Sequence, residues 1–173
     1  DALVAASTPF GRDLPIETSL EFPDMASFGI AMAITPSTVV EIDANWTGWS
    51  SFDQIEIVFV NGDQPTQTLP ENWDDAYNYR LGFRWDLSPT GQLRLGYVYD
   101  ETPQPDETMS PLLPDANRNG FTVGYGYKSA GGFRFDTALM YLQFDERTTR
   151  SNIDRFNGTY ESSAFLLGLT ATW

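Results

Sequence analysis

Apolar and polar residues alternate with a period of two along most of this chain. From Tyr77 to Leu87 one face reads Tyr77, Tyr79, Leu81, Phe83, Trp85, Leu87, and the other Asn78, Arg80, Gly82, Arg84, Asp86. Side chains of a strand point alternately to opposite faces, so this pattern predicts strand and not helix. The same alternation marks Leu93 to Tyr99, Phe121 to Tyr127, Phe133 to Tyr141 and Phe165 to Trp173. Nearer the start, Ile16, Thr18, Leu20 and Phe22 share parity with Phe28, Ile30, Met32 and Ile34, which predicts one long strand bent near Pro23. Val40, Ile42, Ala44 and Trp46 alternate with Glu41, Asp43 and Asn45, then parity changes before Ile55, Ile57 and Phe59. A bulge between Gly48 and Asp53 would account for that change within one continuing strand. The expected elements are seven antiparallel strands at roughly 16–34, 38–60, 74–87, 92–101, 119–128, 132–145 and 158–173.

The connections alternate in length. Thr35-Pro36-Ser37, Ser88-Pro89-Thr90-Gly91 and Ser129-Ala130-Gly131 are short; Asn61 to Trp73, Thr102 to Arg118 and Glu146 to Asn157 are long and polar. Transmembrane β-barrels sort their loops in this way, with short periplasmic turns and long extracellular loops. The fold class predicted is therefore all-β, the antiparallel strands of a transmembrane barrel. A soluble sheet with one buried face is the competing reading. It would need a second layer to cover seven aromatic-rich strands, and no helical stretch supplies one.

The bulky face should meet lipid, and the face mixing glycine with charge should line the lumen. If Leu87 pairs with Leu93, Asp86 faces Arg94, Arg80 faces Asp100 and Arg84 faces Gly96. The next short turn would set Gly124 opposite Asp136 and Gly126 opposite Arg134. Asp86, Asp100, Arg134 and Asp136 thus form, with the arginines, an expected lumen charge network. Keeping arginine off the lipid side avoids about 2–4 kcal/mol at the bilayer midplane.

Composition narrows the chemistry. The 173 residues contain no cysteine and no histidine, so thiolate metal sites and histidine catalysis are excluded. A net charge of −14 argues against a nucleic-acid partner. Aromatic residues make up 14% of the chain, enough for the girdles at membrane interfaces. The chain starts at Asp1 without a leader-like segment, as expected of a mature product or a fragment. The acidic run Asp100, Glu101, Asp106, Glu107 offers oxygen ligands suited to calcium, although such clusters are more often solvated surface. The Asn-x-Thr triplets at Asn45 and Asn157 are chance matches. No motif marks a catalytic residue, a metal site or a cofactor, and no enzyme is expected.

The last strand ends on Trp173, with apolar residues at alternate positions before it and Gly168 five residues back. This resembles the C-terminal assembly signal of bacterial outer-membrane proteins, except that Ala171 replaces the usual bulky residue. Four further segments, in order, resemble the C-terminal half of the FadL/TodX family of outer-membrane transporters. They are Asn45-Trp46-Thr47-Gly48-Trp49-Ser50-Ser51-Phe52-Asp53, Leu69-Pro70-Glu71-Asn72-Trp73-Asp74-Asp75-Ala76-Tyr77, Leu93 to Pro103, and Leu113-Pro114-Asp115-Ala116-Asn117-Arg118. The resemblance implies a fourteen-stranded barrel with an N-terminal hatch, of which residues 16–173 would be the second half. Residues 1–15 would then be an extracellular loop or N-terminal remnant.

The function implied is passive transport of long-chain fatty acids or related hydrocarbons across a Gram-negative outer membrane. The alternative is a structural or partner-binding barrel component that transports nothing. Implied partners are membrane lipid, a hydrophobic small-molecule ligand, the outer-membrane assembly machinery, and the N-terminal barrel half or another chain completing the wall. Candidate ligand residues are Arg84, which lacks an acid opposite, then Arg80 and Arg94. Met109, Leu112 and Leu113, flanked by prolines, would contribute to an external groove or fold back onto the barrel.

Overall fold

The computed structural model describes residues 15–62, 64–111, 114–153 and 155–173. In chain order the strands are β1 (Ile16–Glu17), β2 (Met25–Thr35), β3 (Thr38–Thr47), β4 (Gln54–Phe59), β5 (Gln67–Pro70) and β6 (Ala76–Asp86). They continue with β7 (Gly91–Asp100), β8 (Arg118–Lys128), β9 (Arg134–Phe144), β10 (Arg147–Thr149), β11 (Gly158–Tyr160) and β12 (Ser163–Thr172). Seven of these form one antiparallel sheet in the order β12-β9-β8-β7-β6-β3-β2. An 11-residue strand such as β6, tilted as barrel strands are, covers roughly 25–30 Å of membrane normal.

The expected count of seven wall strands holds, with two corrections near the start. The stretch from 16 to 34 is not one strand. β1 pairs with β4 (Ile16 with Phe59, Glu17 with Val58), and only from Met25 does the chain join the wall. Pro23, which has no N–H to give a ladder, lies in the break. The stretch from 38 to 60 is also divided. A 3-10 turn at Trp49–Ser51 replaces the expected bulge, and β4 leaves the wall for a three-stranded sheet with β1 and β5. The parity change was real, but its cause is a change of sheet. The turn is fixed by Phe52 N–H donating to Trp49 O at 2.8 Å, and by Trp49, Phe52 and Trp73 packing edge to face with ring centroids 5.0–6.3 Å apart.

One face of the wall is apolar from edge to edge. Ile30, Ile42, Leu81, Tyr97, Phe121, Tyr141 and Phe165 lie in a single cross-strand row. The next row is Met32, Val40, Phe83, Leu95, Val123, Leu139 and Leu167. Tyrosine and tryptophan are absent from this second row. They gather to either side of it, at Trp46, Tyr77, Tyr79 and Tyr99 toward the long loops and at Trp85, Tyr125 and Tyr127 toward the short turns. That is an apolar band between aromatic girdles.

This face is uncovered: Leu95, Val123 and Leu139 remain 47%, 45% and 45% exposed. Among the described residues the buried hydrophobic side chains are Phe52, Ala76, Met109 and Ala116, all at the long-loop end. A soluble sheet would put its core where this molecule has none. The apolar face is built for lipid, and an exposed apolar surface of this extent marks a membrane contact. No helix is long and apolar enough to cross a membrane.

Candidate functional site

The opposite face of the same strands is the lumen face. Its residues follow from the observed register, which differs from the expected one at two hairpins. In β6–β7, Arg84 faces Arg94, Asp86 faces Gln92, Arg80 faces Val98 and Asn78 faces Asp100. The expected pairs Asp86–Arg94, Arg80–Asp100 and Arg84–Gly96 do not form. The turn closes earlier than expected because Leu87 N–H bonds to Gly91 O at 2.9 Å. Ser88 Oγ accepts from Thr90 N–H at 3.3 Å and Gly91 N–H at 2.9 Å, a side-chain turn that leaves only Ser88-Pro89-Thr90 in the loop.

At the β8–β9 hairpin the shift runs the other way. Gly126 faces Asp136, Gly124 faces Ala138 and Lys128 faces Arg134. The expected pairs Gly124–Asp136 and Gly126–Arg134 are replaced. Ser129 N–H bonds to Phe133 O at 2.8 Å, and the loop takes in Gly132 at φ +93°, a conformation that favours glycine. Both shifts are by two residues, so no side chain changes face.

The charge network that results is a relay. Arg94 donates through Nη1 to Asp136 Oδ1 at 2.7 Å and through Nε to Gln92 Oε1 at 2.6 Å. Gln92 Nε2 donates to Asp86 Oδ1 at 2.7 Å, and Asp86 Oδ1 lies 3.9 Å from Arg84 Nε. Two arginines directly opposite each other would repel. Here a carboxylate on either side, with Gln92 between, offsets them. Gly126 makes the room: a Cβ there would stand 2.7 Å from Asp136 Oδ1 and 2.9 Å from Arg94 Nη2.

Asp100 is engaged elsewhere. Arg118 donates through Nε to Asp100 Oδ2 at 2.7 Å, through Nη1 to Asp115 Oδ1 at 3.2 Å, and lies 5.6 Å from the Phe144 ring centroid. That leaves Arg80 without an ion-pair partner among the described residues. Asp43 is its cross-strand neighbour. The Asp43 carboxylate instead leans over β2, into the space a Cβ at Gly29 would fill.

Arg80 lines a cavity of about 640 Å³ in the lumen face. Glu41, Asp43 and Arg80 border one side, and Val98, Met140 and Leu142 the other. Gly82 faces Gly96 across the floor, and Gly120 lies in the Arg80 row between Val98 and Leu142. The apolar half was not anticipated, because the lumen face reads in sequence as glycine and charge. Its signal was available in Leu139-Met140-Tyr141-Leu142 and Phe165-Leu166-Leu167, where both parities are apolar at once.

The long-loop end is tied down. Arg147 bonds through Nε to Asp106 Oδ1 at 2.7 Å, through Nη1 to Asp115 O at 2.9 Å, and to the carbonyl of Gln104. Asn152 Nδ2 donates to Met109 O, and Thr108 Oγ1 to Glu71 O at 2.7 Å. Met109 is fully buried beneath these contacts and is not open to a ligand from outside. The long loops close over this residue. Leu112 and Leu113 lie outside the described residues. Asp100 and Asp106 are held by Arg118 and Arg147, and among the described residues no group of three or more acidic side chains is disposed to hold a metal. At the loop base the Ser50 hydroxyl and N–H, and Trp46 Nε1–H, hold Asp75 below the usual carboxylate range. Gly168 faces Ala138 on the lumen side, and Trp173, just beyond β12, is 96% exposed.

A sheet with a lipid face, a polar lumen face and loops sorted by end is the wall of an outer-membrane β-barrel. The profile of the family described as outer membrane protein transport protein (OMPP1/FadL/TodX) matches residues 3–173, and the chain belongs to that family. It is 24% identical over 150 residues to the long-chain fatty acid transport protein of Escherichia coli K12, covering 87% of this chain and 33% of that protein. An outer membrane protein of Neisseria meningitidis serogroup B is 31% identical over 117 residues, covering 63% of this chain and 25% of that protein. The fold matches the crystal structure of a Pseudomonas aeruginosa FadL homologue with a TM-score of 0.80 at 24% identity, over 90% of this chain and 36% of that one. The chain thus spans a quarter to a third of the length of these curated relatives. Its place is the bacterial outer membrane.

Proposed function

We propose that this wall segment belongs to a passive channel for hydrophobic compounds that carry an acidic head, long-chain fatty acids being the representative class. The observation that carries the reading is the lumen cavity: on one side Arg80, without an ion-pair partner among the described residues, stands with Glu41 and Asp43, and on the other are Val98, Met140 and Leu142. A carboxylate is attracted to the guanidinium, and an alkyl chain is removed from water by the apolar half. About 640 Å³ lies within the usual range for small-molecule sites. The matched family's description and the name of the Escherichia coli relative support the reading.

Transport by diffusion needs no energy source, and the lumen residues act only by binding and release. Arg84, the first choice on sequence grounds, has Asp86 nearby and Arg94 opposite, so Arg80 takes precedence. The test is uptake of labelled laurate by the complete protein in proteoliposomes. Arg80→Gln should lower uptake about tenfold, the worth of one charge-assisted hydrogen bond, and leave dodecanol uptake unchanged. Equal laurate entry into protein-free and protein-containing vesicles ends the reading.

A further inference from the structure

We propose that Lys128 and Arg134 form a second carboxylate site, at the short-turn end of the lumen, where an acidic amphiphile rests before leaving. The proposal rests on the uptake reading and extends it to a separate place. Lys128 and Arg134 stand directly opposite each other in the last row of the wall, both on the lumen face. Like charges so placed repel unless an anion lies between them. The other such pair, Arg84 and Arg94, is offset by Asp86 and Asp136. Lys128 and Arg134 have no such help.

Neither makes an ion pair among the described residues. Asp136, one row away, accepts at Oδ1 from Arg94 Nη1. Thr172 completes the row on β12, and Thr90, whose carbonyl accepts from Lys128 N–H at 2.8 Å, flanks it on the other side. The short turns contribute no charge. A cavity of about 450 Å³ opens at this point, lined by Lys128 and Arg134 together with Arg94, Gln92, Asp86 and Asp136, the two carboxylates being those already bonded to Gln92 and Arg94. It offers two cations without an ion-pair partner among the described residues, and room for a head group.

The position is distinct from the Arg80 cavity. On β8 the Arg80 row passes through Gly120, eight positions before Lys128 (128 − 120), roughly 27 Å of strand. On the lumen face of the wall strands, the half nearer the long loops carries Glu41, Asp43 and Asp100 against Arg80 and Arg118, and the half nearer the short turns carries Asp86 and Asp136 against Arg84, Arg94, Lys128 and Arg134. The short-turn half is the more positive of the two.

Lys128 is the only lysine of the chain, which makes a direct test available. The complete protein in a non-ionic detergent is treated with an amine-acylating reagent, and modification of Lys128 is read by peptide mass spectrometry. Saturating laurate should slow acylation of Lys128 roughly tenfold, while dodecanol, the neutral analogue, leaves it unchanged. Arg134→Gln should remove most of the protection, read for that variant as the ratio of its own rates with and without laurate. Equal rates with laurate and dodecanol overturn the proposal. So does a Lys128 already unreactive without ligand, which would mean that an acid of the protein itself fills the site. The uptake reading fails separately: protection without uptake removes transport and keeps the site, and uptake without protection does the reverse.

Discussion

The lipid face and the lumen face are carried by the same strands, residue by residue in alternation, yet they obey different rules. The lipid face needs only apolarity, with aromatics toward the ends. Any neighbour will do, so Leu95 beside Val123 serves as well as Leu95 beside Leu139 would. The lumen face needs particular neighbours. Arg84 beside Arg94 is tolerable only because Asp86, Gln92 and Asp136 surround them. One face is specified by composition and the other by register.

The largest test of that contrast is Leu95→Arg, in the middle row of the lipid face. It should cost about 2–4 kcal/mol, measured by reversible urea unfolding of the complete barrel in vesicles. A cost below 1 kcal/mol would mean that this face does not meet lipid. Gly120→Leu should come next. A Cβ at Gly120 already stands 2.5 Å from Val98 Cγ1 and 2.6 Å from Met140 Cε. Overpacking there should cost about 1–3 kcal/mol and reduce laurate binding. Undiminished binding by the folded variant would separate the cavity from the ligand path.

Arg94→Gln removes a solvated ion pair and should cost no more than about 1 kcal/mol, although it leaves two carboxylates of the relay less compensated. A loss comparable to that of Leu95→Arg would erase the distinction between the faces. The smallest effect concerns neither face. Asp75, at the loop base, has its acidity strengthened by hydrogen bonds from Ser50 and Trp46. A depressed folded pKa gives stability that is present above the unfolded value and is lost as pH falls through the folded one. Tryptophan emission should therefore change below the usual carboxylate range, and Asp75→Asn should abolish that step. A step unaltered by Asp75→Asn would assign it to another carboxylate.

These differences also explain what could be read in advance. Alternation identified the seven wall strands, the first two drawn too long, and the lipid face, because both depend on parity; the sorting of loops was read from their lengths. The lumen pairs were misplaced by two residues because hairpin register depends on how a turn closes. Ser88 Oγ capturing Thr90 and Gly91, and Gly132 adopting a positive φ, are choices between turns of almost equal local propensity. The departure of β4 from the wall was visible as a parity change, but parity cannot tell a bulge from a change of sheet. The burial of Met109 depends on three loops meeting, which no local pattern encodes.

The two hairpin shifts carry an evolutionary consequence. A turn that grows or shrinks so as to slide its strands by two residues leaves every side chain on the face it had, so insertion into the membrane is unaffected. The same slide gives each inward-facing residue a new neighbour across the ladder. Small insertions and deletions at Ser88-Pro89-Thr90 and Ala130-Gly131-Gly132 can thus reassign the inner charges while the bilayer tolerates each intermediate. Relatives sharing this architecture are free to diverge in their inner charges by editing turns, without replacing one residue of the wall.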